Sequence, residues 1–329
     1  MDLTEILYEF ESSHLDIESK IIESIKKLIK LDVPHPAQGN TYKRWQILAQ
    51  VAATNLNLVK WFESHLDVLS ILEELQSKVT TNGLTAIWAA EGSAIPLLLN
   101  QNLCSGEKNW CSGAGIVEQA LMTYRDTEDK SQLILVDMSQ SGIHYDLEAW
   151  HSEGMRFTRT ARLSLDSVVA TKIAGPNAYL TRAGFWHGAA GVAACWFGAT
   201  CRIADFLIEA SRHKANDYSF MYLGDITTEI EVTKRYFQYV AEQIDLAPKL
   251  SHEYIVRILR AKTEATALRV LEMVGKALGA RPFCENKIFA QLTTDLPVFL
   301  RQSHAAFDLK QIALLKLQQA LDQEETWHL

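Results

Sequence analysis

The sequence predicts an α+β fold that is mostly α-helical, with a small β domain between two helical regions. Apolar residues recur every three or four positions over residues 1–82 and again over residues 177–329, which is typical of helices. Residues 83–176 instead hold short apolar runs cut by Gly, Ser and Asp, which favours strands and turns. We therefore expect three domains: an N-terminal helical domain (1–82), a central β-barrel or β-sheet domain (83–176) and a C-terminal four-helix bundle (177–329).

The N-terminal domain is expected to contain helices separated by one break. Apolar residues from Leu3 to Ile29 follow the helical period, so a helical region is predicted over residues 1–30. Two prolines and a glycine then interrupt the pattern at residues 32–40. Further helices are predicted over residues 42–58 and 59–78.

The central domain is expected to be built from short strands. Apolar runs predict strands over residues 84–89, 120–124, 133–136 and 161–169. Its turns are marked by Gly142, Gly154, Gly175 and Pro176.

The C-terminal domain begins with a helix rich in glycine and alanine. Small residues recur from Gly184 to Gly198, so we expect neighbouring helices to approach it closely. Residues 183–201 carry no formal charge and approach the length of a membrane span, but Gly and Ala dominate and charged residues follow directly, so a buried helix of a soluble bundle is predicted. Later helices are predicted over residues 218–244, 251–278 and 292–322.

Composition excludes several classes of partner. The formal net charge is −8 and no sustained Lys/Arg block is present, which disfavours nucleic acid and anionic membranes as principal partners. The acidic, amphipathic N-terminus has no signal-peptide pattern, so a cytoplasmic location is expected. Five cysteines without a Cys-x-x-Cys pair disfavour both a disulfide framework and a zinc site, so no metal is expected and the thiols are predicted to be reduced and buried.

The most informative stretch is Gly-Glu-Lys-Asn-Trp-Cys-Ser-Gly-Ala at residues 106–114. Side chains alternate between the two faces of a strand, so a strand here would place Lys108, Trp110 and Ser112 along one face. An aromatic ring and a small hydroxyl on one face indicate a surface for a planar ligand such as a flavin.

The spacing Gly-x-Lys-x-Trp-x-Ser-x-Ala resembles the central strand of the acyl-CoA dehydrogenase family, and the helix, β, helix order resembles that family over nearly the whole chain. The resemblance implies an FAD-dependent oxidoreductase acting on an acyl thioester, carried by CoA or an acyl carrier, with an electron-transfer flavoprotein as acceptor. It implies that Trp110 packs on the flavin ring and that the Ser112 hydroxyl bonds the ring's reducible edge. It also implies a homodimer or homotetramer that packs through the C-terminal bundle.

The sequence departs from this family where the catalytic base is expected. The family's glutamate stands eight residues after an aspartate; Asp295 matches that aspartate, but the count reaches Ser303, with His304 next. The alternative position, near the start of the first bundle helix, has His187 and no glutamate. A histidine near this late position resembles the flavin-dependent monooxygenases that share the fold. The resemblance implies a second interpretation, an enzyme that uses oxygen and reduced flavin from a flavin reductase and in which a histidine or serine helps to orient the substrate. His304, Ser303 and His187 are therefore the candidate catalytic residues, and imidazole titrates near neutral pH.

The cofactor-binding motifs are also altered. Residues 89–94 match a shortened form of the family's flavin loop, which leaves the backbone amide near Ala90 for the flavin pyrimidine. Arg212 or Lys214 is predicted either to reach the diphosphate or to cap the preceding helix. Gly279 best matches the loop passed by the adenine end of the partner's cofactor. These departures leave a third interpretation open, a non-catalytic subunit that pairs with an active homologue.

Overall fold

A computed structural model describes residues 1–213 and 216–323. The chain forms two compact units, and each is described here by itself. The sheet unit comprises residues 1–35 and 54–185, and the bundle unit comprises residues 36–53 and the described residues from 186 onward. The division into three domains stays a prediction, although helices, strands and helices follow one another as expected.

Helices precede the sheet, as predicted. They are α1 (Leu3–Ser12), α2 (Ile17–Leu28), α3 (Thr41–Thr54) and α4 (Leu56–Glu74). The helical region expected over residues 1–30 is divided, because Asp16 caps a new helix by accepting a hydrogen bond from the Ser19 amide at 3.0 Å. Asn55 likewise caps α4 through the Leu58 amide at 2.9 Å, which moves the expected helix boundary from residue 58 to residue 55.

The predicted strands at residues 84–89, 120–124, 133–136 and 161–169 are all present. The strands are β1 (Thr85–Trp88), β2 (Leu98–Asn100), β3 (Leu103–Cys111), β4 (Gln119–Arg125), β5 (Ser131–Asp137), β6 (Ile143–Asp146) and β7 (Ala161–Lys172). Among the described residues they form one sheet in the order β1-β4-β5-β7-β3-β2, with β6 paired to β7. The β1–β4 pair is parallel and the other pairs are antiparallel.

Helix α4 covers part of this sheet and supplies much of the core of the sheet unit. Its apolar side chains pack with residues of β4 and β5 and with Tyr179 of α5 (Ala178–Thr181). The fully buried members of this cluster are Val68, Ile71 and Leu121. Burying each such side chain contributes about 1.5 to 3 kcal/mol to folding.

The outer edge of β1 is also occupied by α4. The Thr85 amide donates to His65 Nδ1 at 3.2 Å, and the Ile87 amide donates to Ser64 Oγ at 3.0 Å. These N–H groups point away from β4 and would otherwise lack partners in the sheet. Side chains of a helix therefore substitute for a neighbouring strand along this edge of β1.

The bundle unit is helical throughout its described regular elements. After α3 come α6 (Gly184–His213), α7 (Asp217–Leu246), α8 (Glu253–Leu278), α9 (Arg281–Glu285), α10 (Lys287–Phe299) and α11 (Ala306–Gln323). The single helix predicted over residues 292–322 is wrong, because the chain leaves the α-helical path after Phe299 and resumes it at Ala306. This break contains Ser303 and His304.

Helix α6 makes the close approach that its small residues predict. A Cβ atom built on Gly198 would lie 2.1 Å from the Ala49 carbonyl oxygen of α3, so only glycine fits there. Helix α6 is also the one described helix long and apolar enough to cross a membrane, and 61% of its most apolar window is buried in the protein. The core helix of a water-soluble protein has the same composition, and the expected absence of a membrane stays a prediction.

Candidate functional site

Trp110 lies at the end of β3, in a local irregularity of the strand. The register with β7 shifts between Lys108 and Cys111, and Trp110 has a left-handed backbone with φ of 63°. The expectation that Lys108, Trp110 and Ser112 share one face is wrong, because this bulge changes the alternation: Lys108 is 2% exposed, whereas Trp110 is 59% exposed. The bulge therefore turns a large indole outward.

A second tryptophan supports Trp110 from the side. The Trp150 ring meets the Trp110 ring edge to face, with centroids 5.8 Å apart and planes at 86°. Both rings line a cleft of about 200 Å³ together with Thr160. The Trp150 Nε1 atom is buried and has no hydrogen-bond partner within the described chain. The cleft thus has an aromatic lining, and the unsatisfied indole N–H lies buried behind it.

Ser112 follows this bulge and connects it to the loop before β7. Its Oγ lies 2.9 Å from Thr160 Oγ1, which lies 2.8 Å from Thr158 Oγ1. The Ser112 carbonyl accepts a hydrogen bond from Trp88 Nε1 at 3.0 Å, at the end of β1. Trp110 and Ser112, predicted as one site, therefore stay within one local structure.

The loops around Ser112 adopt uncommon backbone conformations. Trp110, Met155 and Arg159 all have positive φ values, as do Gly113 and Gly115 in the turn after β3. Non-glycine residues in this region cost on the order of 1 kcal/mol each and persist only where surrounding contacts hold them. Here the Thr158 carbonyl accepts from both the Gly113 amide and Trp61 Nε1, each at 2.8 Å. Such clusters of strain often mark functional sites.

Glu91, in the loop of residues 89–94, and Lys108 of β3 form a polar group. Lys108 Nζ donates to the Thr123 carbonyl and to Thr123 Oγ1, and the Glu91 carboxylate lies 3.8 Å away. Burial lowers the pKa of Lys108 by removing water from the ammonium group, although the Glu91 charge opposes this shift. Thr123 Oγ1 also donates to Glu91 at 2.7 Å, so Glu91 holds the loop that carries Ala90.

The cysteines supply no evident nucleophile. Cys111, inside the key strand, is fully buried, and burial raises the pKa of its thiol far above neutrality. The expectation that all five cysteines are buried is wrong for Cys284, which is exposed on α9, and for Cys201, which is half-buried.

In the bundle unit, Ser303 and His304 occupy the break between α10 and α11. Ser303 is buried, and its Oγ accepts a hydrogen bond from the Ala305 amide at 3.1 Å. His304 is exposed; its amide donates to Asp308 Oδ2 at 3.2 Å, and its ring meets Phe307 edge to face. His304 is therefore the accessible member of this pair.

His187 lies in the first turn of α6, and in the bundle unit its ring packs beside the residues that precede α8. It is 2% exposed, its Nε2 lies 3.0 Å from the Leu250 carbonyl, and its ring lies 5.8 Å from that of His252. Because a carbonyl only accepts, His187 Nε2 carries a proton in this contact. This imidazole is buried and committed to the backbone.

Two buried arginines beside the helix break were missed by the sequence analysis. Arg257 pairs with Glu253 and Asp308, and its guanidinium lies 4.2 Å from the Trp186 ring. Arg260 donates to the Ala189 and Gln302 carbonyls. Their spacing of three residues on α8 was the available signal, since it puts both on one helix face.

The buried carboxylates of this unit have partners. Asp308 pairs with Arg257, Glu264 pairs with Arg301 at 2.7 Å, and Asp295 accepts from the Gln291 side chain at 2.9 Å. At the two positions expected for the family's base, the described chain has Ser303 and His187.

The residues proposed for the diphosphate and adenine have ordinary structural roles. Arg212 is exposed in the last turn of α6, where a cation interacts favourably with the helix dipole. Gly279 ends α8 with φ of 67°, a conformation that glycine adopts without strain. Lys214 lies outside the described residues.

The order of helices, mixed sheet and helical bundle is the fold of the acyl-CoA dehydrogenases, which flavin monooxygenases share. Butyryl-CoA dehydrogenase from Megasphaera elsdenii is similar with a TM-score of 0.77 and 13% identity, over 96% of this chain and 97% of that chain. TdsC from Paenibacillus sp. A11-2, solved with FMN and indole, is similar with a TM-score of 0.74 and 13% sequence identity, over 96% of each chain. FkbI, described as acting in biosynthesis of the methoxymalonyl extender unit of the polyketide Fk520, is similar with a TM-score of 0.76 and 13% sequence identity, over 96% of this chain and 98% of that chain.

At 13% sequence identity, these similarities show the fold alone. No protein-family model matches the chain, and a search of curated proteins found no similar sequence.

Proposed function

We propose that the protein is a flavin-dependent oxidoreductase whose flavin ring rests on the Trp110 face of the sheet unit. The observation that carries this proposal is the exposed indole of Trp110, fixed in a left-handed bulge beside Trp150 and the Ser112 hydroxyl. A large aromatic side chain held outward by strained backbone indicates a ligand-binding surface.

The residues present fit a flavin. The exposed Trp110 indole offers a flat surface for the ring system, and Thr160 adds a polar side chain to the lining of the cleft. A bound flavin supplies two-electron chemistry, either by accepting a hydride or by reacting with oxygen. Trp110, Ser112 and the Ala90 amide would orient the ring. We propose FAD, with Arg212 and Gly279 towards its diphosphate and adenine, and the test includes FMN because TdsC was solved with FMN.

Dehydrogenation of an acyl thioester, from CoA or an acyl carrier, is one candidate reaction, and it follows from the resemblance of the Trp110 strand. This reaction needs a base for the α proton. Ser303 occupies the expected position, its hydroxyl has a pKa too high for that role at neutral pH, and the buried carboxylates of the bundle unit are paired.

Oxygenation by reduced flavin is the second candidate reaction. The presence of Ser303, rather than a carboxylate, at the position expected for the base favours it. No carboxylate base is required in this reaction, and the accessible His304 would serve to exchange a proton with the substrate. We further propose a cytoplasmic homodimer or homotetramer, served by an electron-transfer flavoprotein in the first reaction or a flavin reductase in the second.

Flavin binding tests the proposed function directly. Purified protein reconstituted with FAD or FMN should show the flavin absorption bands, and Trp110→Ala should weaken affinity roughly tenfold or more through lost stacking. Tyr8→Ala, which removes an exposed aromatic ring from α1, is the control and should bind normally. Protein that remains colourless with both flavins contradicts the proposal.

Turnover then separates the reactions. Acyl-CoA-dependent reduction of an artificial electron acceptor selects dehydrogenation, and oxygen uptake that requires added reduced flavin selects oxygenation. In the oxygenase, His304→Ala should lower the rate on the order of a hundredfold, whereas His14→Ala should not. Activity that appears only with a co-purifying second chain, and that is insensitive to His304→Ala, selects the non-catalytic subunit.

A further inference from the structure

Ser112 is the first of three hydroxyl groups in a line. Its Oγ lies 2.9 Å from Thr160 Oγ1, Thr160 Oγ1 lies 2.8 Å from Thr158 Oγ1, and Thr158 Oγ1 lies 2.6 Å from the Met155 carbonyl oxygen. Thr158 and Thr160 are both buried, so bulk water does not compete for their protons. We call these three side chains the hydroxyl chain.

The direction of every proton in the hydroxyl chain follows from its last member. A carbonyl oxygen has no proton, so Thr158 must donate its only hydroxyl proton to Met155. Thr160 must then donate to Thr158, and Ser112 must donate to Thr160, because each hydroxyl has one proton. Ser112 therefore has lone pairs, and no proton, for any ligand on its open side.

The peptide group that follows Ser112 helps to keep it in this arrangement. Its own carbonyl accepts from Trp88 Nε1 at 3.0 Å, and the next amide, of Gly113, donates to the Thr158 carbonyl at 2.8 Å. The first bond ties Ser112 to the end of β1, and the second ties it to the loop that carries Thr158 and Thr160. The polarity of Ser112 is thus set by residues more than 40 positions further along the chain.

We propose that Ser112 acts as a hydrogen-bond acceptor towards the flavin, and that the site consequently binds the reduced flavin more tightly than the oxidised flavin. This inference rests on the proposed function. Oxidised flavin has a lone pair at N5, which would face the Ser112 lone pairs. Two-electron reduction, by dithionite in the test below, adds two electrons to the ring and a proton to N5, which then donates to Ser112.

The preference should be measurable. The reduced flavin gains one neutral hydrogen bond to Ser112, whereas the oxidised flavin brings two acceptors face to face. This difference corresponds to roughly tenfold tighter binding of the reduced flavin. By linkage, a tenfold ratio raises the two-electron potential of the bound flavin by about 30 mV relative to free flavin. A site that selects reduced flavin suits an enzyme that receives it from a separate reductase.

The test is an anaerobic titration of the protein with FAD and FMN, each oxidised and dithionite-reduced. Thr158→Val leaves the Ser112 and Thr160 hydroxyls in place but removes the group that fixes their protons. Ser112 can then turn its proton to the ligand, so oxidised flavin should bind several-fold tighter and the ratio should approach one. Thr160→Val should do the same, whereas Ser112→Ala should weaken only the reduced form. Thr171→Val, on an exposed position of β7, is the matched control and should keep the wild-type ratio.

The outcomes separate this inference from the proposed function. Absence of flavin binding in both redox states overturns the proposed function. Flavin binding with a wild-type ratio of one or below, or with a ratio that Thr158→Val leaves unchanged, overturns the inference while the flavoprotein proposal stands. If Thr158→Val fails to fold, the Thr160→Val and Ser112→Ala variants decide. Flavin bound to either variant should lose the positive shift of its two-electron potential.

Discussion

Lys108 is a buried cation whose surroundings satisfy it only in part. Its ammonium group donates to the carbonyl and hydroxyl oxygens of Thr123, while the nearest carboxylate, Glu91, is 42% exposed and 3.8 Å away. Water screens that ion pair, so the hydrogen bonds carry most of the compensation. Burial lowers the pKa of Lys108 below its usual value of 10.5. Its contribution to stability must therefore depend on pH.

We expect Lys108→Met to destabilise the protein at pH 7 by about 1 to 3 kcal/mol, because the Thr123 oxygens lose their donor. Between the lowered folded pKa and 10.5, the unfolded lysine binds more protons than the folded one, so wild-type stability rises with pH relative to the variant. In urea unfolding, the difference in unfolding free energy between the wild type and Lys108→Met should be larger at pH 10.5 than at pH 7. A gap independent of pH would contradict this, and Lys172→Met, at an exposed site on β7, serves as control.

The packing of α3 against α6 depends on one glycine. The Ala49 carbonyl carbon, Cα and oxygen would all lie within 3 Å of a Cβ on Gly198. These neighbours are backbone atoms of a helix and cannot move independently. The small-residue face noted in the sequence is thus an interhelical contact, and Gly198 sets how closely the two helices approach.

Gly198→Ala should destabilise the protein by about 1 to 3 kcal/mol through overpacking. Gly224→Ala on α7 is the matched control: no atom lies within 4 Å of its added Cβ, so it should stabilise the helix by up to about 1 kcal/mol. Urea unfolding of the two variants gives both values. Equal effects of the two substitutions would rule out the steric explanation.

The described surface of the whole molecule includes one apolar helix face. Phe307, Leu314, Leu317 and Leu321 of α11 are all exposed, and their spacings of seven, three and four residues put them on one side of the helix. A continuous apolar face on a monomer usually marks an interface. This face supports the proposal of a homodimer or homotetramer packed through the bundle.

Light scattering coupled to gel filtration should give a dimeric or tetrameric mass for the wild type. Leu317→Asp should shift the mass towards the monomer, because an isolated carboxylate in an apolar interface is costly. Leu15→Asp, at an exposed leucine of the sheet unit, should not. A monomeric wild type at micromolar concentration would refute the assembly.

The sequence predicts elements that have a regular period and misses those created by local exceptions. The helix expected over residues 218–244 is observed as Asp217–Leu246, because its pattern is uninterrupted. The bulge at Trp110 was missed because strand alternation gives no sign of an extra residue when the bulged residue is not glycine. The break at Ser303 was missed because apolar residues continue on both sides of it.

The sequence suggests which residues belong to the candidate site, but not the contacts that connect them. Trp110 and Ser112 could be chosen from a nine-residue motif. The bond from Ser112 to Thr160 spans 48 positions, and the pair of Arg257 with Asp308 spans 51. Such contacts depend on how distant segments pack, and a single sequence has no period that reports them.

The way α4 covers the outer edge of β1 has a consequence for solubility. A strand with free outward amides can template pairing with another chain and seed fibrils. Ser64 and His65 already occupy the amides of Ile87 and Thr85, so an incoming chain finds no donors there. Replacing both Ser64 and His65 by alanine would expose the amides on this edge of β1, and the first effect would be aggregation during expression.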